Sequence, residues 1–77
     1  MEERVKQVMA MVFGVEVKDI GANAAPGSID AWDSMRHMNL VLALEEEFNV
    51  RFGEDQIEQL ISLPLICLTL RELTGQA

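Results

Sequence analysis

The run from Ser34 to Phe48 contains neither glycine nor proline, and it places Leu40, Val41, Leu44 and Phe48 at i, i+1, i+4 and i+8. That spacing predicts an amphipathic helix with an apolar stripe to bury. The helix starts at Asp33 or Ser34, because aspartate is a favoured N-cap and its carboxylate suits the positive end of the helix dipole. The remaining chain has few means of covering the stripe. Cys67 is the single cysteine, which excludes an internal disulfide, and one cysteine with one histidine cannot build a Cys/His zinc site. Seventy-seven residues suit one domain, 1–77, near the lower limit for a self-sufficient core. With 49% hydrophobic and 25% charged residues the composition is that of a packed globule rather than a disordered chain, so apolar burial must hold the fold.

From Glu2 to Phe13 the residues Val5, Val8, Met9 and Val12 recur at helical spacing, with Glu2 and Glu3 in the favourable first turn and Gly14 as the stop. Val15 to Trp32 has no sustained period and reads as a long loop with a short turn near Val17 to Ile20. Such a loop stays ordered in so small a domain only if Val15, Val17, Ile20, Ile29 and Trp32 are pinned to the core. A polar turn at Asn49 to Gly53 leads to a brief third helix, Glu54 to Leu60. Ser62 then reads as the N-cap of a fourth, with Pro64 in its first turn and Gly75 after its end. Nothing alternates with period two. The expected fold is all-α: a small four-helix bundle, three longer helices and one short, with a long loop between the first two.

Thirteen acidic against six basic residues give a net charge of −7, with the acids gathered mainly between Asp30 and Glu58. A phosphate backbone or an anionic membrane surface would be repelled, so partners should carry basic patches and nucleic acid is excluded. Met1 is followed by Glu2, Glu3 and Arg4 without a cationic leader, and the longest apolar stretch, Leu63 to Leu68, contains Pro64 and is too short to span a bilayer. A soluble, monomeric cytoplasmic protein is expected. The acidic segment Asp30-Ala31-Trp32-Asp33 fails as a calcium loop because Met35 stands where the sixth-position glycine belongs, and no metal site is expected.

Met35, Met38 and Leu42 make a second apolar stripe on the Ser34–Phe48 helix, running on into Glu45 and Glu46. Spacing alone divides evenly between two readings: these residues complete the core, or they stay partly exposed as an adaptable, Met-rich docking surface flanked by carboxylates. Ser34 lies beside the unpaired N–H groups and positive dipole end of the helix, where an attached phosphate would be tolerated, although capping is the commoner role for such a serine. His37 is a helical neighbour of Ser34, yet there is no Gly-x-Ser-x-Gly turn and little chain left to build a substrate cleft. No catalytic residue is expected. Cys67, in an apolar helix without a cationic neighbour, reads as a buried small hydrophobe.

The run Trp32-Asp33-Ser34-Met35, then Met38, Leu40, Val41, Leu44-Glu45-Glu46-Glu47-Phe48-Asn49-Val50 and Phe52, resembles the carrier-protein motif of Asp-Ser-Leu, spaced aliphatics and Leu-Glu-Glu-x-Phe-x-Ile. The likeness to a freestanding acyl carrier protein extends over essentially the whole chain. It implies that Ser34 receives 4′-phosphopantetheine from coenzyme A through a phosphopantetheinyl transferase, with Asp33 helping to present the hydroxyl to that enzyme and its magnesium. It implies acyl cargo held as a thioester on the arm, sheltered by Met38, Leu44, Ile57 and Leu60, although ordinary core packing fits those residues equally well. Met35, Arg36, Met38, Asn39, Leu42, Glu45 and Glu46 fall on the family's recognition face for enzymes that load and process the cargo. Two departures stand out. Met35 replaces the usual leucine, nearly conserving volume. Arg36 and Asn39 stand where fatty-acid carriers often have acids, which turns the expectation from primary fatty-acid biosynthesis toward a specialised, polyketide-like pathway. An aminoacyl or peptidyl carrier of a peptide-synthetase or cell-wall pathway is the alternative within the family; outside it, an unmodified acidic helical interaction domain. Leu65 and Leu68 on the fourth helix would either enlarge an acyl cavity or form an exposed patch.

Overall fold

The computed structural model describes residues 1–75. Four helices account for the architecture: α1 (Glu2–Phe13), α2 (Ser34–Phe48), α3 (Glu54–Gln59) and α4 (Leu63–Thr74), with one 3₁₀ turn, Val17–Asp19, in the long connection. The all-α bundle of three longer helices and one short one is as the sequence predicts. Among the described residues there is no strand. No described helix is long and apolar enough to cross a membrane.

Each helix ends for a local reason. Gly14 takes up a left-handed conformation (φ 69°) and its N–H donates to Ala10 O, closing α1. Asn49 does the same for α2 (φ 53°), one of the few non-glycine residues that enters this region readily. Gly53 donates its N–H to Gln56 Oε1 at 2.8 Å and opens α3. That helix stops at Gln59, one residue short of the sequence expectation, because Leu60 turns out of helical geometry (ψ 53°) to bury its side chain completely. Ser62 caps α4 through Oγ, which accepts from Leu65 N–H at 3.3 Å.

The core is contributed by every element. Val5, Met9, Leu40, Leu44, Leu60, Leu63, Ile66 and Leu70 have no exposed surface, and α1 packs against both α2 and α4, with α3 against α4. On α1 Val8 and Phe13 are buried as well, while Val12 is only partly so. Phe48 is likewise partly buried, and Arg4 lies over its ring at 4.4 Å while its guanidinium pairs with the Glu47 carboxylate at 3.0 Å. Together these tie α1 to the C-terminal end of α2.

The long connection is ordered by anchors. Ile20, Ile29 and Trp32 are buried, as expected, and Ala24 joins them; Val15 packs on the core and Val17 stays partly exposed. The carbonyl of Ala24 accepts from Leu63 N–H at 2.8 Å, pinning the loop to the start of α4. On α4 the aliphatic residues divide: Leu63, Ile66 and Leu70 are buried, whereas Leu65, Leu68 and Leu73 are exposed. Cys67 is buried, and burial pushes its thiol up from its usual range; Arg71, one turn further on, pulls the other way, a cationic neighbour that the sequence expectation did not include.

Two tests follow. Leu44→Ala should destabilise the domain by about 2–5 kcal/mol, while Leu42→Ala, on the same helix but exposed, should change stability by less than about 0.5 kcal/mol, both read by urea denaturation. For Cys67 the folded state holds its proton more tightly than the unfolded chain does. Its contribution is therefore full below about pH 8.5 and declines as pH rises beyond that. Between pH 7 and 9.5 the urea midpoint of the native chain should fall more steeply than that of Cys67→Ala; parallel slopes would contradict this.

Candidate functional site

The start of α2 separates the roles of two adjacent polar residues. Asp33 is extended (φ −102°, ψ −177°) and its Oδ1 accepts from Arg36 N–H at 2.8 Å, so Asp33 is the N-cap. Its Oδ2 lies 3.8 Å from Arg36 Nη1, which shares the carboxylate charge. Ser34 is therefore the first helical residue, exposed, and its hydroxyl takes no part in the side-chain hydrogen bonds among the described residues. The N–H groups of Ser34 and Met35 have no helical carbonyl behind them to bond.

Beneath them His37 is held by both ring nitrogens. Trp32 Nε1–H donates to His37 Nδ1 at 3.0 Å, which requires the neutral ring to carry its proton on Nε2, and Nε2 donates to the Ile57 carbonyl at 3.0 Å. The two rings are nearly parallel, 6.2 Å apart, and Trp32 also packs on Phe13 with centroids 5.2 Å apart. With both nitrogens committed, the imidazole is not free to take a proton from Ser34. A nucleophile-and-base pair is not formed.

A groove of about 610 Å³ opens beside Ser34. It is lined by Pro26 and Trp32 of the loop, by Asp33, Ser34, His37 and Met38 at the start of α2, and by Glu58 and Ile61 from α3 and the segment after it. Of the four residues expected to shelter an acyl chain, Met38 lines this groove. Leu44 and Leu60 are wholly buried and Ile57 is half-buried against the core, and none of these three lines it.

The second stripe of α2 is exposed: Met35 at 76%, Leu42 at 60% and Met38 at 45%. At about 100° per residue, Met35 stands about 180° from Leu44, on the side of the helix opposite its buried stripe. Arg36, Asn39 and Glu46 are exposed as well. Glu45 differs: it is half-buried and its Oε2 accepts from Phe52 N–H at 2.9 Å, so part of its carboxylate is spent on the turn after α2. Leu42, Glu45 and Glu46 border a shallower hollow of about 440 Å³ with Asn49, Val50 and Arg51. Among the described residues no three His, Cys, Asp or Glu side chains gather as a metal site requires.

Sequence reasoning did not find the Trp32–His37–Ile57 connection, nor Pro26, Glu58 and Ile61 as groove residues. The available signal was small: an isoleucine isolated between two helices, and an indole and an imidazole five positions apart across a helix start. No protein-family model matches the sequence.

The division of labour at the helix start has a direct test. Asp33→Ala should cost about 1 kcal/mol of stability through loss of the cap, and Ser34→Ala less than about 0.5 kcal/mol, measured by urea denaturation. Equal losses would show that Ser34 shares the capping role.

Proposed function

We propose that this chain is an acyl carrier protein, with Ser34 the attachment point for 4′-phosphopantetheine. The observation that supports this most is the uncommitted, exposed Ser34 hydroxyl on a helix whose capping is done by Asp33. The residues present suit a phosphodiester there. The first two N–H groups of α2 and its dipole favour an anion, and Arg36 offsets the repulsion that the Asp33 carboxylate would otherwise exert. When bound, the group supplies a mobile thiol that holds acyl intermediates as thioesters. Asp33 presents the serine to a separate transferase by fixing the first turn. His37 keeps Trp32 and α3 in place behind it.

The chemistry on the cargo belongs to partner enzymes with basic docking patches; this chain contributes no catalytic group. Met35, Leu42 and Glu46 form the exposed flank of α2 on which such partners dock, with Arg36 and Asn39 making part of that flank less acidic. Those two residues favour a specialised pathway over bulk fatty-acid synthesis. An unmodified interaction domain in which Ser34 serves only as a cap is the weaker reading, because the cap is Asp33.

Incubation with coenzyme A and a broad-specificity phosphopantetheinyl transferase should raise the intact mass by one phosphopantetheine unit, and Ser34→Ala should abolish the gain. An unmodified wild-type protein would overturn the proposal.

A further inference from the structure

We infer, resting on the carrier reading above, that Met35 is an oxidation site: a peroxide converts its exposed thioether to the sulfoxide and thereby slows attachment of the arm to Ser34. Five methionines and one cysteine hold the chain's sulfur, and the fold sorts them by access. Met9 has no exposed surface. Cys67 is buried too, and desolvation keeps its thiol protonated, so the thiolate that a peroxide attacks is scarce. Met1 is partly buried. Met11 and Met35 stand 82% and 76% exposed, with Met38 at 45%. A peroxide in solution therefore meets Met11 and Met35 first.

Position separates these two. Met35 follows Ser34 directly on α2, whereas Met11 lies on α1 and shares a hollow with Ala43, Glu46 and Glu47. Ala43 is roughly 13 Å further along the helix axis than Ser34. An enzyme that brings a phosphopantetheinyl group to the Ser34 hydroxyl must cover the side chain beside it. As a thioether, Met35 offers that enzyme a polarisable apolar contact. As a sulfoxide it carries a polar oxygen whose hydration is lost on covering, and a surface shaped for a thioether supplies no donor in return. The chemistry is one oxygen transfer. The sulfur lone pair attacks the outer oxygen of hydrogen peroxide, the S–O bond forms as the O–O bond breaks, and a proton moves to the leaving oxygen, which departs as water. Sulfur is oxidised and the peroxide reduced. Thiols acting through methionine sulfoxide reductases reverse the step, the oxygen leaving as water and the thiols becoming a disulfide. Met35 is not among the side chains packed on the core, so its oxidation alters the docking side of α2 and not the fold.

The test treats the full chain with hydrogen peroxide until Met35 is converted, removes the oxidant, and locates the added oxygen by peptide mass spectrometry. Loading from coenzyme A by a broad-specificity phosphopantetheinyl transferase is then followed as intact-mass gain over time. Met11 and Met35 should gain oxygen before Met38, and well before Met9. Oxidised wild-type protein should load about tenfold more slowly than its own untreated sample. Its urea midpoint should not move, and methionine sulfoxide reductases of both epimer specificities, with dithiothreitol, should restore the rate. Met35→Leu, which nearly conserves volume, should lose most of the sensitivity to peroxide when compared with its own untreated form, and Met11→Leu should keep it. Equal loading before and after oxidation of Met35, or sensitivity that persists in Met35→Leu, would overturn the inference; so would a fall in urea midpoint accompanying the slower loading. An untreated wild-type protein that gains no mass removes the carrier reading and the inference with it, whereas oxidised protein that loads as fast as untreated protein removes the inference alone.

Discussion

Two hydrogen bonds to one imidazole organise the functional end of this domain. His37 on α2 accepts from Trp32 at the end of the long loop and donates to Ile57 on α3. Neither of those neighbours could hold its position unaided. A loop of that length has a large conformational entropy to lose, and a six-residue helix is far below the length at which isolated helices persist. The imidazole joins both to α2, the most strongly specified element in the chain. Because three polar groups satisfy one another within a mostly apolar setting, the cost of breaking the connection exceeds what any one of the bonds contributes in water. The placement of Ser34 on the rim of a formed groove depends on it.

At the helix start, chemistry is divided between neighbours. Asp33 satisfies the orphaned Arg36 N–H and in doing so leaves Ser34 without a structural duty. A serine in the cap position would have pointed its oxygen back at the helix; displaced by one residue, it projects into solvent beside the groove. The same economy applies to the acids. Glu47 pairs with Arg4 and Glu45 supports the Phe52 amide, so the unevenly placed negative charge is partly architectural, while Glu46 makes no such link among the described residues. Such exposed pairs contribute little stability singly. They matter here by deciding which carboxylates remain available to a visitor.

The sequence made the helices legible because each carried a period and a stop: Gly14, Asn49 and Gly75 follow apolar stripes, and Ser62-Leu63-Pro64 announces α4. The ordering of the loop was legible from Ile20, Ile29 and Trp32, but the bond from Leu63 to Ala24 was not, since backbone pairing across nearly forty positions leaves no mark on residue type. The site was readable in part. Asp33 and Ser34 stand out by their place before a helical run, whereas the groove is assembled from Pro26, Met38, Glu58 and Ile61, which come together only through tertiary packing. The division of Leu44 and Leu60 from Met38, buried against exposed, has the same origin. Spacing tells which residues share a face, not which of two faces a neighbour covers.

The exposure of Met35 and Leu42 follows from angular arithmetic on α2. Leu40, Val41 and Leu44 turn one side of α2 to the core, and at about 100° per residue Met35, Leu42 and Glu46 all fall on the opposite side. Ser34 and Met38 lie between the two, on the flank that meets the groove. Among the described residues no further element covers the outer side, and large apolar residues kept there carry an aggregation cost that a purely structural role would not justify. On the carrier reading the arrangement has a use. A partner could engage Met35, Leu42 and Glu46 on the outer side while Ser34 projects from the neighbouring flank.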